Sequence, residues 1–256
     1  MLPPFVKLNG RGGVIRDLAD ALELDIVSAM LQYWEGQKRR IIDALEERVP
    51  DDRKGVQLTM PFWRQEAKNL LAILLPLIQR GAENGVTAHE VAFTQATNIS
   101  LDWTLAHTDA ADWARRYCGE LVKGVEDTTS RRVAAQVSNW IETQDRTFPD
   151  LVSAIAKDPA FNEKRARLIA ATESTRAHAE GEMTAAETAE AEGYVEYIKR
   201  WDTARDDRVC EICGPLDNKE VIGARATFDT LVGPLEGPPA HPNCRCGLGM
   251  IPRLPK

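Results

Sequence analysis

Most of the cysteines in this 256-residue chain lie in its last fifth, in a pattern typical of a metal site. Cys210 and Cys213 form a C-x-x-C pair, whose tight turn lets both sulfurs face one point. His241, Cys244 and Cys246 form a second group, H-x-x-C-x-C, further along the chain. Thiolate and imidazole ligands at about 2.0–2.3 Å build tetrahedral zinc sites. The spacing therefore predicts a structural Zn²⁺ site made by four of these five residues.

The five candidates exceed the four places of a tetrahedral site. One of Cys244 and Cys246 is therefore expected not to bind, and the sequence leaves open which of the two it is. Two other interpretations stay open: a redox pair, or thiols packed as small hydrophobic groups. Gly214-Pro215 follows the C-x-x-C pair and interrupts any helix there, which does not fit the usual redox motif.

Composition limits the class of protein. Aromatic residues are few at 6% and charged residues are frequent at 28%, which is typical of a helical, soluble protein. The net charge of −7 gives no global basic field for nucleic acid. An odd number of clustered cysteines favours a cytoplasmic, reducing site of synthesis over a disulfide framework. No signal peptide is predicted, and the most apolar run, Leu70–Ile78, is too short to span a membrane.

The chain is predicted to be mainly α, with a small C-terminal α+β zinc-knuckle module. Residues 1–16, rich in Pro and Gly, predict an extended arm. Residues 17–111 predict an N-terminal helical region that includes a helical hairpin for docking to a partner. Residues 112–256 form the second predicted region, with the zinc-knuckle sheet at 194–252.

Apolar residues recur every three to four positions along most of the chain and predict helices. The first is expected over 17–49, with a break at Gly36 left open, and the second over 61–80, ended by Gly81 and Gly85. Further helices are expected over 87–99, 109–125, 128–144, 148–157, 162–181 and 183–192. Trp34 and Trp63 are expected in the core, and His89 is expected to pack or lie on the surface. Alternating or β-rich patterns predict strands over 194–203, 216–222 and 246–252.

Three stretches of the C-terminal half resemble a known family when taken together. They are RLIAATESTRAHAEG, WDTARDDRVCEICGPLDN and GPPAHPNCRC, within about residues 112–250. In this order they resemble the phage Mu F-type domain of head morphogenesis, or minor capsid, proteins. Besides the Cys/His positions, the resemblance points to recurrent family positions at Thr172, Glu173, Trp201, Asp207 and Arg245. The family's usual Ala-Arg before Thr-Glu is Ala170-Ala171 here, so a role for that arginine is in doubt.

The resemblance implies a non-enzymatic structural protein of tailed phage heads or prophage-derived particles. It implies a place in the virion, in the head interior or portal region, and in the host cytoplasm during assembly. The implied partners are the portal protein, the major capsid protein or other head components, with possible contact to packaged DNA during packaging or delivery. It implies no membrane span.

Two alternatives from other functional classes stay open. A zinc module that binds nucleic acid would need Arg205, Arg208, Arg225 and Arg245 to converge, because Lys/Arg and Asp/Glu balance over 193–256. A hydrolase or transferase acting during infection would need an open metal position, and no H-E-x-x-H, nucleophile elbow or phosphate loop is present.

Overall fold

The computed structural model describes residues 14–48, 55–143, 145–205 and 209–254. They form five α-helices and three strands, together with two short 3₁₀ turns, one of them Gly214–Leu216 after the first cysteine pair. The elements are α1 Val14–Glu46, α2 Met60–Thr97, α3 Thr104–Glu142, α4 Phe148–Ala156, α5 Glu163–Ala191, β1 Glu196–Asp202, β2 Glu220–Ile222 and β3 Gly247–Arg253. The predicted fold class, mainly helical with a small C-terminal sheet, is confirmed.

The sheet is antiparallel with the strand order β2-β1-β3. β1 is central because its partners flank it on both sides, with Ile198 opposite Ile222 on one edge and Ile251 on the other. Period-two alternation turns Tyr197 and Trp201 to the buried face, as the sequence predicts. Trp201 pairs with Leu248 of β3, so the end of β1 and the start of β3 lie side by side next to the cysteines.

The chain divides into two compact units, each made of discontinuous segments. Among the described residues, unit 1 comprises 14–24, 77–115 and 168–254, and unit 2 comprises 25–76 and 116–167. Unit 1 contains the sheet and all the cysteines and the histidine of the predicted metal site. The predicted division between residues 111 and 112 stays a prediction.

Two predicted helix ends are wrong, and the reason is a close crossing of α2 and α5 inside unit 1. The sequence predicts breaks around Gly81, Gly85 and Gly181, yet both helices continue through these residues. A Cβ at Gly85 would lie 2.2 Å from the His178 carbonyl oxygen, and one at Gly181 would lie 1.9 Å from the Ala82 carbonyl oxygen. Glycine costs only about 1 kcal/mol within a helix, so tertiary packing overrides its tendency to end one. The glycines serve helix contact here.

Other boundaries also differ from the sequence prediction. α3 is one helix from 104 to 142, where two were predicted, and α1 continues through Gly36. α1 begins at Val14, so the last residues of the predicted 1–16 arm are helical, and the rest of that arm lies outside the described residues. Tertiary packing stabilises these long helices, so they continue through residues whose local preference is to end a helix.

Buried polar groups of unit 2 form a hydrogen-bond network that the sequence analysis does not predict. The Tyr33 hydroxyl lies 2.9 Å from Glu126 Oε1 and 3.0 Å from Glu66 Oε2. Gln37 donates to the Tyr33 hydroxyl and to Glu126, and Arg40 binds both Glu66 oxygens. One hydroxyl proton cannot serve two carboxylates. Burial raises the pKa of Glu126 to about 7, and a proton on this group completes the network.

The two tryptophans expected in the core differ in burial. Trp34 is fully buried, as predicted, whereas the prediction for Trp63 is wrong, since its side chain is only partly buried. His89 lies in the core of unit 1, with Nε2 at 2.8 Å from the Tyr197 hydroxyl, and burial lowers its pKa to about 3. His89 is therefore a neutral packing residue, as predicted. Within the described ranges, no helix combines the length and apolarity needed to cross a bilayer.

Candidate metal centre

The first part of the site is the turn Cys210–Gly214, here called the first knuckle. The Gly214 N–H donates to the Cys210 carbonyl oxygen at 2.8 Å, which closes the turn and brings the two thiols to one side. Burial opposes ionisation of Cys210, but the backbone N–H groups of Cys213 and Ile212 point at its sulfur and lower its pKa on balance. N–H donors aimed at a sulfur favour the thiolate, which is the form that binds a metal.

The second part is the turn His241–Cys244, here called the second knuckle. The Cys244 N–H donates to the His241 carbonyl oxygen at 3.2 Å, and Asn243 adopts a left-handed φ of 63°. His241 Nδ1 lies 2.8 Å from the Pro242 carbonyl oxygen. A carbonyl oxygen only accepts, so Nδ1 carries the proton and Nε2 is left with a lone pair, as in a metal-binding histidine.

The two knuckles meet, and all five predicted ligand residues come together. His241 Nε2 lies 3.0 Å from Cys210 Sγ and 3.2 Å from Cys213 Sγ, and Cys213 Sγ lies 3.8 Å from Cys244 Sγ. Cys210, Cys213 and His241 form one group with ligand atoms within 4.8 Å of one another, and Cys213, Cys244 and Cys246 form a second. Cys213 belongs to both groups and is the centre of the cluster.

The separation of the Cys213 and Cys244 sulfurs fits a tetrahedral zinc site. Zn–S bonds of about 2.3 Å at tetrahedral angles place two sulfurs about 3.8 Å apart, which is the separation of Cys213 and Cys244. Hydrogen bonding to Cys244 and Cys246, and then burial, raise the pKa of Cys213, whereas hydrogen bonds from Cys213 and Cys246 lower that of Cys244. The buried thiols thus lie within hydrogen-bonding distance of one another, and a divalent cation would replace these contacts with thiolate bonds.

Cys246 differs from the other thiols because it lies next to the sheet. It directly precedes β3 and is buried, and Leu248 and Met250 continue its alternation on the buried face. Hydrogen bonding with Cys213 lowers the pKa of Cys246, but hydrogen bonding with Cys244 and burial raise it on balance. The buried indole Nε1 of Trp201 makes no full hydrogen bond, and its interaction with the Cys246 sulfur favours the thiolate.

Helix α5 supports the second knuckle through two hydroxyl groups. The Asn243 N–H donates to Thr172 Oγ1 at 2.8 Å, and Thr172 Oγ1 donates to the Leu168 carbonyl oxygen at 2.7 Å. Thr175 Oγ1 donates to the Cys244 carbonyl oxygen at 3.0 Å. The resemblance pointed to Thr172, whereas Thr175 is a supporting residue that the sequence prediction missed. Their i,i+3 spacing on a helix was the available signal.

The remaining positions indicated by the resemblance have structural surroundings. Glu173 is buried and pairs with Arg176 at 3.5 Å. Trp201 is fully buried and meets Phe228 edge to face, with centroids 5.3 Å apart. Arg245 lines the small cavity at the Cys/His cluster, and Asp207 lies outside the described residues.

The arrangement offers the donor groups of a metal site. Three of the five candidate ligand residues are buried, and the other two are half-buried. A tetrahedral ion held by four of these side chains would have no position left for water.

The comparisons with known proteins agree with the resemblance. Residues 131–249 match the model of the family described as phage Mu protein F like protein, over slightly less than half of the chain. The match starts within α3, later than the expected residue 112, and it contains α4, α5, most of the sheet and both knuckles. No curated protein and no solved structure matches the chain.

Proposed function

We propose, from the phage Mu F-like character of residues 131–249, that this chain is a head morphogenesis or minor capsid protein stabilised by a structural zinc ion. The family match supports the role in phage heads, and the Cys/His cluster supports the metal. The observation that carries the zinc is the meeting of the two knuckles at His241 Nε2 and Cys213 Sγ, 3.2 Å apart.

The four proposed zinc ligands are Cys210, Cys213, His241 and Cys244. Short distances link them in series, from Cys210 to His241, from His241 to Cys213 and from Cys213 to Cys244. Cys246, which directly precedes β3, is proposed to lie outside the coordination. Its sulfur also lies within 4.8 Å of the Cys213 and Cys244 sulfurs, so Cys246 is the alternative to Cys244 as the fourth ligand.

A zinc ion would supply folding free energy to the part of the chain with the least regular structure. Between β1 and β3 the chain has only the three-residue strand β2 and one 3₁₀ turn among its described residues. Such a segment buries little apolar surface of its own, and a closed site compensates for this. Zinc bound to both knuckles would join the connection between β1 and β2 to the connection between β2 and β3.

Metal content tests the zinc directly. The purified full chain is expected to contain about one zinc, and chelation is expected to release it together with several newly reactive thiols. Cys213→Ser is expected to abolish binding. Cys118→Ala is the matched control, because Cys118 is also buried but lies in α3, outside the cluster. Zinc retained by Cys213→Ser would refute the proposed site.

The two remaining cysteine variants test the choice of ligands. Cys246→Ser is expected to keep zinc, and Cys244→Ser is expected to lose it. Replacement of zinc by Co²⁺ gives a second measurement, since the sulfur-to-metal absorption scales with the number of thiolates and is expected to correspond to three. The opposite pattern of retention would assign the fourth position to Cys246 in place of Cys244.

The head role implies specific partners and a location in the particle. We propose that the chain associates with the portal protein, the major capsid protein or other head components, and that it is carried in the head interior or portal region. Its helical N-terminal region, residues 17–111, is the proposed docking part. Mass spectrometry of purified heads from the source phage or prophage tests this, and absence of the chain from both empty and DNA-filled heads would refute it.

The described cations near the site do not favour nucleic-acid binding as the main function. Arg205 pairs with Asp217 at 3.4 Å, and Arg225 pairs with glutamates including Glu180 at 2.8 Å. Paired cations release few counterions on binding a phosphate backbone. Contact with packaged DNA inside the head remains part of the proposal and is tested by crosslinking in filled particles.

A further inference from the structure

Four successive residues of α5, Thr172 to Thr175, are polar and buried. Buried polar groups are costly unless they are hydrogen-bonded. Such a run within a helix therefore needs an explanation beyond packing. Two of its hydroxyl groups, those of Thr172 and Thr175, point to the second knuckle.

We propose that Thr172 and Thr175 are positioning residues that preset the His241–Cys244 turn for metal binding. The inference rests on the zinc site proposed above, and it deepens that proposal by assigning the support of its ligands to helix α5. Neither threonine is proposed as a ligand.

The two hydrogen bonds fix the backbone on both sides of one residue pair. Thr172 holds the N–H of Asn243, and Thr175 holds the carbonyl oxygen of Cys244. Asn243 has a φ of 63°, a conformation that residues with a Cβ seldom adopt. External bonds to both ends of this dipeptide therefore stabilise a turn that its own backbone disfavours, and Cys244 is oriented as a consequence.

The Thr172 hydroxyl makes one hydrogen bond within α5 and one to the second knuckle. Its hydroxyl donates to the Leu168 carbonyl oxygen one turn earlier and accepts from Asn243. Because the hydroxyl proton of Thr172 is donated to the Leu168 carbonyl oxygen, the lone pairs of Thr172 Oγ1 remain to accept from the second knuckle. The position requires a hydroxyl group, because an apolar side chain of the same shape would leave the Asn243 N–H without this acceptor.

The first knuckle is closed by its own backbone, through Gly214 N–H and the Cys210 carbonyl oxygen. The second knuckle has its own turn bond, from the Cys244 N–H to the His241 carbonyl oxygen, and is also held from α5. A metal ion between them would thus join a locally folded turn to a helix-anchored one. A preset turn loses less conformational freedom when the metal binds, so removing the hydroxyl groups should weaken metal binding.

The same helix offers a matched control. Thr188 is also buried, and its hydroxyl donates to the Thr184 carbonyl oxygen within α5, as Thr172 does to Leu168. Thr188→Val removes a buried hydroxyl and keeps the side-chain shape. It does not touch either knuckle bond described above.

The experiment measures Zn²⁺ affinity of the full chain by competition with a chromophoric chelator. Thr172→Val and Thr175→Val are each expected to weaken zinc binding by about 10- to 100-fold, the usual effect of removing a group that orients a metal ligand. Thr175→Ser is expected to restore near-normal affinity, and Thr188→Val is expected to leave it unchanged. The absorption bands of bound Co²⁺ should broaden or shift in the two Val variants and stay the same in Thr188→Val.

Hydrogen exchange of the metal-free chain gives an independent measurement that does not need bound zinc. The Asn243 amide is expected to exchange more slowly in the original chain than in Thr172→Val. Equal exchange in both, or equal zinc affinity in all variants of a zinc-binding chain, would overturn the positioning role and leave the zinc site standing. A chain that binds no zinc at all would overturn both proposals.

Discussion

Replacing Gly181 by alanine should destabilise the protein, although alanine is the better helix former. The added Cβ would lie 1.9 Å from the Ala82 carbonyl oxygen and 2.9 Å from Gly85 Cα. Real Cβ contacts shorter than 3.0 Å essentially never occur, so α2 and α5 would have to separate locally by about 1 Å. Both neighbouring atoms belong to backbone, which cannot rotate away as a side chain can.

The magnitude follows from two opposing contributions. Replacing glycine by alanine in a helix gains about 1 kcal/mol, and overpacking of a well-packed contact costs about 1–3 kcal/mol or more. Gly119→Ala is the matched control, since Gly119 lies in α3 and has no atom within 4 Å of the added Cβ. We therefore expect Gly119→Ala to be stabilised by about 1 kcal/mol. Both variants gain this helix propensity, so Gly181→Ala should be less stable than the control by the overpacking cost alone, about 1–3 kcal/mol or more.

Urea unfolding followed by far-UV circular dichroism measures both variants, with the slope checked to confirm that the same surface is exposed. The double variant Gly85→Ala/Gly181→Ala adds a sharper test. One separation of the helices relieves both clashes, so the double variant should lose less stability than the sum of the single losses. A Gly181→Ala protein as stable as Gly119→Ala would refute the close crossing as the reason for glycine.

Three further predictions concern titration and metal removal. Burial raises the folded pKa of Glu126 to about 7 from an unfolded value of 4.5. Between these two values the folded state holds the extra proton, so the free energy of unfolding falls by roughly 3 kcal/mol as the pH rises from 4.5 to 7. Glu126→Gln should remove this slope in urea titrations at several pH values. Burial lowers the folded pKa of Lys199 to about 8 from 10.5. Between these two values the unfolded state holds the extra proton, so the free energy of unfolding rises by roughly 3 kcal/mol from pH 8 to 10.5. The difference in unfolding free energy between the original chain and Lys199→Met should show this rise, and a difference that stays constant with pH would contradict it. Chelation of the metal should speed amide exchange in residues 209–219 more than in β1, as measured by mass spectrometry, and equal effects would count against a zinc that supports the knuckles.

Lys199 lies on the strand face that the sequence predicts, but the surroundings of its ammonium group are not predictable from the sequence. The alternation of β1 predicts that this residue points to the same side as Tyr197, and the structure confirms it. Its ammonium group is fully buried, donates to the Ala224 carbonyl oxygen at 2.7 Å and lies 5.6 Å from the centroid of Phe228. These partners come from a loop well beyond β1, so no local pattern could announce them.

The sequence by itself determined the elements whose signals are local. The Cys/His spacing identified the two knuckles, because short turns bring residues two or three apart to one point. Alternation predicted β1, and the ordered motifs pointed to the family whose model matches residues 131–249. These patterns involve residues close together in the chain, so tertiary contacts do not change the local structure that they predict.

Tertiary structure decided the features that depend on distant partners. Gly85 and Gly181 look like helix ends in the sequence, yet each lies against backbone of the other helix, where any Cβ would collide. Thr175 has no role visible in its own helix, and it gains one only because Cys244 comes to lie beside it. Local preferences of about 1 kcal/mol are smaller than the packing and hydrogen-bond energies of such contacts, and for that physical reason the folded structure overrides them.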